Sequence, residues 1–361
     1  MARYRSLINF TVLFYLLITL SSIRAEEINT QKDEPSPFIK GAWTTVLLPD
    51  TQYYANNSKN IEALNNMMDW IVAEKEERNI QMVVHLGDMT DRNSQQEWKH
   101  IRSSYKKLDN ALPYLLCVGN HDQRSYKKEA KINDFFKISD NPLNKDIFRG
   151  SFEPNKLQNA YYLVNHNGQK YLFLAVEYAP RDSAIEWADK IIKKHKDYHV
   201  FITVHQYMTE TSRLVSKDGR PDPQSKRGFG NDDAKIFSRL AKPNPNVEFI
   251  VCGHVYAVKK GTEGMSPKGY EGVLVRDQDI ATGHRSDTKD NGLTVHQMLF
   301  NAQWIPGGGD GWMLLLEFSP DNKEVRVKTF SPHLRLWRTG PEYEYSLKRF
   351  RSAKKNSGSQ Q

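Results

Sequence analysis

Apolar residues recur along this chain with two different periods, and the alternation between them lays out an order of strands and helices. Short runs rich in branched residues have the length and bounding signals of buried strands: TTVLLP (44–49), MVVHLG (82–87), LLCVG (115–119), FITV (201–204) and FIVCG (249–253). Between the first three lie stretches with helical spacing. Ile61, Leu64, Met67, Met68 and Ile71 predict a helix over about Ser58 to Glu77, capped by Asn57 or Ser58, and a second amphipathic stretch runs from Gln95 to Leu108. Further helices are predicted from Ser183 to Lys196 and from Asp232 to Ala241. The opening strand, helix, strand, helix, strand order argues for parallel neighbours, whereas Asn167-Gly168 and Asp321-Asn322 join alternating runs as hairpins. Residues 206–231 read as a long polar loop, and from Gly261 onward the chain reads mostly as strands. The expected fold class is α/β, with two packed mixed β-sheets flanked by helices in one domain over residues 41–347.

Composition then trims the ends. Arg3 and Arg5 precede an apolar run from Leu7 to Leu20, and Ser21, Ser22 and Ala25 supply small residues after it. This is the three-part layout of a secretory signal over residues 1–25, cleaved after Ala25; Thr11 and Thr19 interrupt it as a membrane span. The expected location is therefore secreted or periplasmic. The formal charge of +8 suggests a basic protein, but three of those charges lie in the signal and five in the tail, so residues 26–347 are neutral. No nucleic-acid footprint arises from that balance, and nucleic acid is not an expected partner. Residues 26–40 read as a polar linker and residues 348–361 as a basic, disordered tail. Cys117 and Cys252 both sit in apolar runs, as small core residues or as a disulfide that export permits.

The chemistry sits at the ends of the strand-like runs. The five runs deliver, in order, Asp50, Asp88, Asn120, His205 and His254. Ligands at the C-terminal ends of successive strands converge on one sheet edge, where open α/β folds place their sites. Two carboxylates, a carboxamide and two imidazoles suit a divalent transition metal. Asp88 and Asn120 lie in two more specific strings, GDMTDR (87–92) and GNHD (119–122).

With those strings the chain resembles the calcineurin-like metallophosphoesterase superfamily, whose pattern runs D-x-H, G-D-x-x-D, G-N-H-D/E, a lone His after a strand, and G-H-x-H. Here these read Asp50-Thr51-Gln52, Gly87-Asp88 through Asp91, Gly119-Asn120-His121-Asp122, His205, and Gly253-His254-Val255-Tyr256. The resemblance implies a four-layer sandwich and a two-metal site. Asp88 would bridge the metals, Asn120, His205 and His254 would complete the second site, and Asp50 and Gln52 would hold the first. His121 would protonate the leaving oxygen, oriented by Asp91, and Arg92 would grip phosphate. Gln52 and Tyr256 depart from the family pattern, and both remove imidazole from the first site. An asymmetric pair is expected: Mn, Fe or Zn held tightly in the second site, and Mn or Mg held more weakly in the first. The implied function is hydrolysis of a phosphomonoester or phosphodiester by metal-bound hydroxide; the alternative is a metal-binding pseudoenzyme or binding module of the same fold.

Other polar residues have two readings each. Glu177 and Tyr178 end a strand beside the metals or form a rim salt bridge. His296 and Gln303 line the pocket or pack in a strand. The run from Trp304 to Trp312 covers substrate or simply turns the chain. His85, inside an apolar run, reads as a core histidine with its hydrogen bonds satisfied.

Overall fold

The computed structural model describes residues 34–123, 130–209, 212, 233–255 and 280–349. The predicted signal (1–25), most of the 206–231 loop, Tyr256 and residues 350–361 lie outside the described residues. In chain order the strands are β1 (Trp43–Leu48), β2 (Ile80–His85), β3 (Tyr114–Leu116), β4 (Phe148–Ser151), β5 (Ala160–His166), β6 (Gln169–Val176), β7 (His199–Val204), β8 (Val247–Cys252), β9 (Ala281–Thr288), β10 (Thr294–Asn301), β11 (Met313–Phe318), β12 (Glu324–Ser331), β13 (Leu336–Arg338) and β14 (Tyr345–Lys348).

They form two seven-stranded sheets, one ordered β13-β12-β11-β1-β2-β3 with β14 on β12, the other β4-β5-β6-β7-β8-β10-β9. As the opening strand and helix order predicts, β1, β2 and β3 are mutually parallel; the structure adds a second parallel set, β6, β7 and β8. Both hairpins are present as well: β5 meets β6 with His166 opposite Gln169, and β11 meets β12.

Alternation places the layers. Along β1, Trp43 and Leu47 face the core between the sheets, while Val46 and Leu48 face the helices on the outer side. Both faces of such a strand are buried, which is why it reads as a continuous apolar run. The Ile61–Ala73 helix presents Leu64, Met67, Met68 and Ile71 to that outer core, each contributing about 1.5–3 kcal/mol on burial. Ser94 starts the Gln95–Tyr105 helix with a reciprocal capping box to Glu97. On the other sheet the Asp182–Lys194 helix packs Ile185, Ala188 and Ile192 against β6, β7 and β8. The result is helices, sheet, sheet, helices.

Two terminal expectations are corrected. The predicted linker ends earlier than residue 40, because residues 34–40 are docked: the Ile39 N–H donates to Glu317 Oε2 at 3.2 Å, and Phe38 lies under Arg78 and Lys328 at 3.9 and 4.0 Å. The predicted tail begins later than residue 348. Lys348 closes β14 opposite Glu324, and Arg349 is buried, with Nε and Nη2 on the two Glu248 oxygens at 2.6 and 2.8 Å. A run of basic residues reads as solvated unless one guanidinium finds a buried carboxylate, and that partner lies 101 residues away.

Candidate metal centre

The parallel topology brings five strand ends to one edge between the sheets. Asp50 follows β1, Asp88 follows β2, Asn120 follows β3, His205 follows β7 and His254 follows β8. Ligand atoms of Asp88, His205 and His254 all lie within 4.8 Å of one another. His205 Nε2 is 3.1 Å from Asp88 Oδ2 and 3.2 Å from Asn120 Oδ1, so the carboxamide joins the same cluster. Asp50 stands next to it, its two oxygens each 3.2 Å from the His254 N–H. Gln52 opens the short turn after Asp50 and is buried. Asp88 and His254 have φ of 52° and 70°, a left-handed conformation that costs a residue with a side chain about 1–2 kcal/mol and marks a demanding geometry.

The surrounding chain holds these groups in place. The His205 Nδ1–H donates to the Leu86 carbonyl at 2.9 Å, which turns Nε2 towards Asp88. Asp122 is fully buried and accepts from the backbone N–H groups of Met89, Thr90 and Gly119, clamping the Asp88 loop to the Asn120 loop. The Asn301 amide donates to Asp50 Oδ2 at 3.1 Å, and its own oxygen accepts the Gln303 N–H at 3.0 Å. Two glycines are required by close approach: a Cβ on Gly119 would stand 2.1 Å from Asp88 Oδ1, and one on Gly253 2.3 Å from Asp50 Oδ1.

Burial sets the electrostatics. Desolvation, reinforced by Asp88, pushes Asp50 well above the usual carboxylate range although His205 opposes it. Burial acts against the Asp88 charge too, but His205 holds that carboxyl below its ordinary value. His254 is pulled down to about 3 by burial and by His205, so it is neutral and able to ligate. The Gln52 Oε1 atom is buried with no hydrogen-bond partner. A neutral imidazole, crowded carboxylates and an unsatisfied carboxamide oxygen are a donor set that fits divalent metal ions.

On the rim, the His121 Nδ1–H donates to the Asp91 carbonyl at 2.7 Å, with Asp91 Oδ1 at 3.3 Å. The backbone oxygen of Asp91 is thus nearer to His121 than its carboxylate is. Burial lowers the His121 pKa, but Asp88 and Asp91 outweigh it and the net shift is upward. Arg92 is 74% exposed, with Nε 3.4 Å from Asp91 Oδ2.

The double readings separate. Tyr178 lies beside the centre, its ring 6.0 and 5.9 Å from those of His205 and His254. Glu177 instead forms the rim salt bridge, accepting from Arg181 Nε at 2.7 Å. His296 packs in its strand, between Ser286 and the Lys348 carbonyl. Gln303 is buried beside Asn301, and its Oε1 has no partner. His85 is a core histidine held by Thr51 and the Gly87 N–H. No disulfide joins Cys117 to Cys252; both are buried in the core. Asp122 and Asn301 were not identified from sequence. Asp122 stands inside the GNHD string, and Asn301 ends a strand as the candidate ligands do, which is the signal that could have found it.

Comparison with known proteins matches residues 44–257 to the calcineurin-like phosphoesterase family. The uncharacterized protein YvnB of Bacillus subtilis (strain 168) is 30% identical over 323 residues, which is 88% of this chain; the chain spans 22% of that protein's length. Purple acid phosphatase PPD1 from yellow lupin (Lupinus luteus) seeds superimposes with a TM-score of 0.48 and 13% identity, over 88% of this chain and 55% of that one. GAP50, the anchor in the inner membrane complex of Plasmodium, gives a TM-score of 0.48 and 10% identity, over 86% and 90%.

Proposed function

The chain belongs to the calcineurin-like phosphoesterase family, and on that premise we propose that it hydrolyses a phosphomonoester or phosphodiester at a dinuclear centre between its two sheets. The observation that carries this reading is the convergence of Asp88, His205 and His254, with ligand atoms within 4.8 Å of one another. Asp88, Asn120, His205 and His254 would hold the second ion, and Asp50 and Gln52, with Asp88 shared, the first. Bound there, divalent ions would supply Lewis acidity, acidifying water and drawing charge from the phosphoryl oxygens. Imidazole-rich donors suit Mn, Fe or Zn in the second site, whereas oxygen donors suit Mn or Mg, held more weakly, in the first.

The chain's own residues account for the remaining steps. Water adds to phosphorus, the bond to the leaving oxygen breaks, and that oxygen needs a proton. His121 stands at the rim with Nδ1–H fixed on Asp91, which leaves Nε2 to deliver the proton. Arg92, exposed beside Asp91, would suit a phosphoryl oxygen as a bidentate donor. Asn301 and the His254 N–H keep Asp50 oriented.

The proton-delivery role is tested by leaving group. His121→Ala is expected to slow hydrolysis of alkyl phosphate esters by roughly 10²–10⁴-fold, and of a 4-nitrophenyl ester, whose leaving oxygen needs little protonation, by much less. Equal small losses on both substrates would remove His121 from the mechanism.

A further inference from the structure

One wall of the centre bears on what kind of ester it accepts. Tyr53 follows Gln52 in the Gln52–Ala55 turn, and the next residue after that turn, Asn56, donates its amide to Asp91 Oδ2 at 3.3 Å. Asp91 in turn fixes His121, so the turn that carries Tyr53 runs between Gln52 and the residues that hold His121. Tyr53 is half-buried in that turn, next in the chain to the buried Gln52.

Trp304 abuts Tyr53 edge to face, with ring centroids 5.6 Å apart and planes at 82°. It is 41% exposed, one of three large apolar side chains so exposed among the described residues. The strap that carries it is anchored. A Cβ on Gly308 would stand 2.9 Å from the Tyr53 carbonyl carbon, and the Gly311 N–H donates to the Tyr54 hydroxyl at 2.9 Å. Trp304 is therefore held at the rim by backbone packing on the same turn that supplies Gln52. Set edge to face, the phenol and the indole present two aromatic surfaces of the kind on which a third flat ring stacks or packs edge-on.

Resting on the hydrolase reading above, we infer that Tyr53 and Trp304 form an aromatic wall for the leaving group, which makes this an esterase for phosphate esters of flat-ring (aryl or heteroaryl) alcohols. The inorganic end of the substrate is read by the metal centre and His121, the organic end by the two rings. Trp304 is a specificity-determining residue on this account.

The test uses the metal-loaded full chain and two non-hydrolysable probes, phenylphosphonate and methylphosphonate, titrated by calorimetry. The same preparations are assayed for kcat/KM on phenyl phosphate and methyl phosphate. The wild type is expected to bind the phenyl probe about tenfold more tightly, the scale of one aromatic pair, and Trp304→Ala to erase that ratio while Trp304→Phe keeps most of it. In kinetics the phenyl-to-methyl ratio of kcat/KM should fall by a similar factor in Trp304→Ala. Equal binding of both probes to the wild type, or a ratio unchanged in Trp304→Ala, would overturn the wall while leaving the hydrolase reading intact. Failure of both probes to bind, with no hydrolysis of either ester, would overturn the hydrolase reading and the wall with it.

Discussion

Single residues in this centre are set by the groups immediately behind them. Asp50 is oriented by Asn301, whose amide is locked in turn by the Gln303 N–H. Removing such a support typically costs 10–100-fold in metal affinity, so Asn301→Ala is expected to weaken the first site by about that factor in a metal titration and to leave the second site less affected. Gly119→Ala forces a methyl group into a position 2.1 Å from Asp88 Oδ1, and backbone of the same residue is 2.3 Å away. About 1–3 kcal/mol of destabilisation is expected for an insertion of this kind, visible as a lower Tm together with loss of metal from the second site. Five candidate ligand positions were legible in sequence because each is the first polar residue after an apolar run. Asn301 was not, since nothing local distinguishes it from the end of a packed strand and its partner Asp50 is 251 residues distant. Asp122 was visible as a letter in GNHD, but only the fold shows that it gathers three backbone N–H groups from two loops.

At the scale of elements, turns and strand order were legible, and helix caps and long-range docking were not. The turn at Asn167-Gly168 and the parallel β1-β2-β3 order arise from residues a few positions apart, whereas the cap expected at Asn57 or Ser58 is corrected to Asn60, before a helix that begins at Ile61. The docking of β14 depends on Arg349 and Glu248, which no periodicity links. Burial opposes the Glu248 charge, but Arg349 outweighs it and holds the carboxyl well below its ordinary value; His199 Nδ1 adds a contact at 2.8 Å. A folded-state pKa lowered in this way contributes stability that is complete above the unfolded value, about 4.3 for glutamate, and is lost as pH falls towards the folded value. The wild type is thus expected to lose stability progressively below about pH 4.3, and Glu248→Gln to show a shallower acid-side decline in denaturant titrations across that range. Arg349→Ala strands a buried carboxylate and is expected to cost about 3–5 kcal/mol at neutral pH. A loss below about 1 kcal/mol, the scale of exposed pairs, would show that β14 is held without this pair.

Across the described residues, two sheets lie face to face with helices outside, and the candidate ligands rise from parallel strands of both sheets at one edge. That arrangement explains why a site assembled from residues 50 to 254 was readable as a set of separate strings. Each string is local, and the parallel topology alone brings them together. No helix among the described residues is long and apolar enough to cross a membrane. For the segment before residue 26 we propose export, for which Edman sequencing of the mature protein should begin at Glu26; a chain that still starts at Met1 would contradict it. The central claim, that this fold carries a metal-dependent phosphoesterase centre, is tested most directly by hydrolysis of bis- and mono-4-nitrophenyl phosphate after chelation and manganese add-back, in wild type and Asp88→Asn side by side. We expect wild-type turnover to vanish on chelation and return with manganese, and Asp88→Asn to stay inactive; equal rates in the two proteins, or activity that survives chelation, would contradict the account.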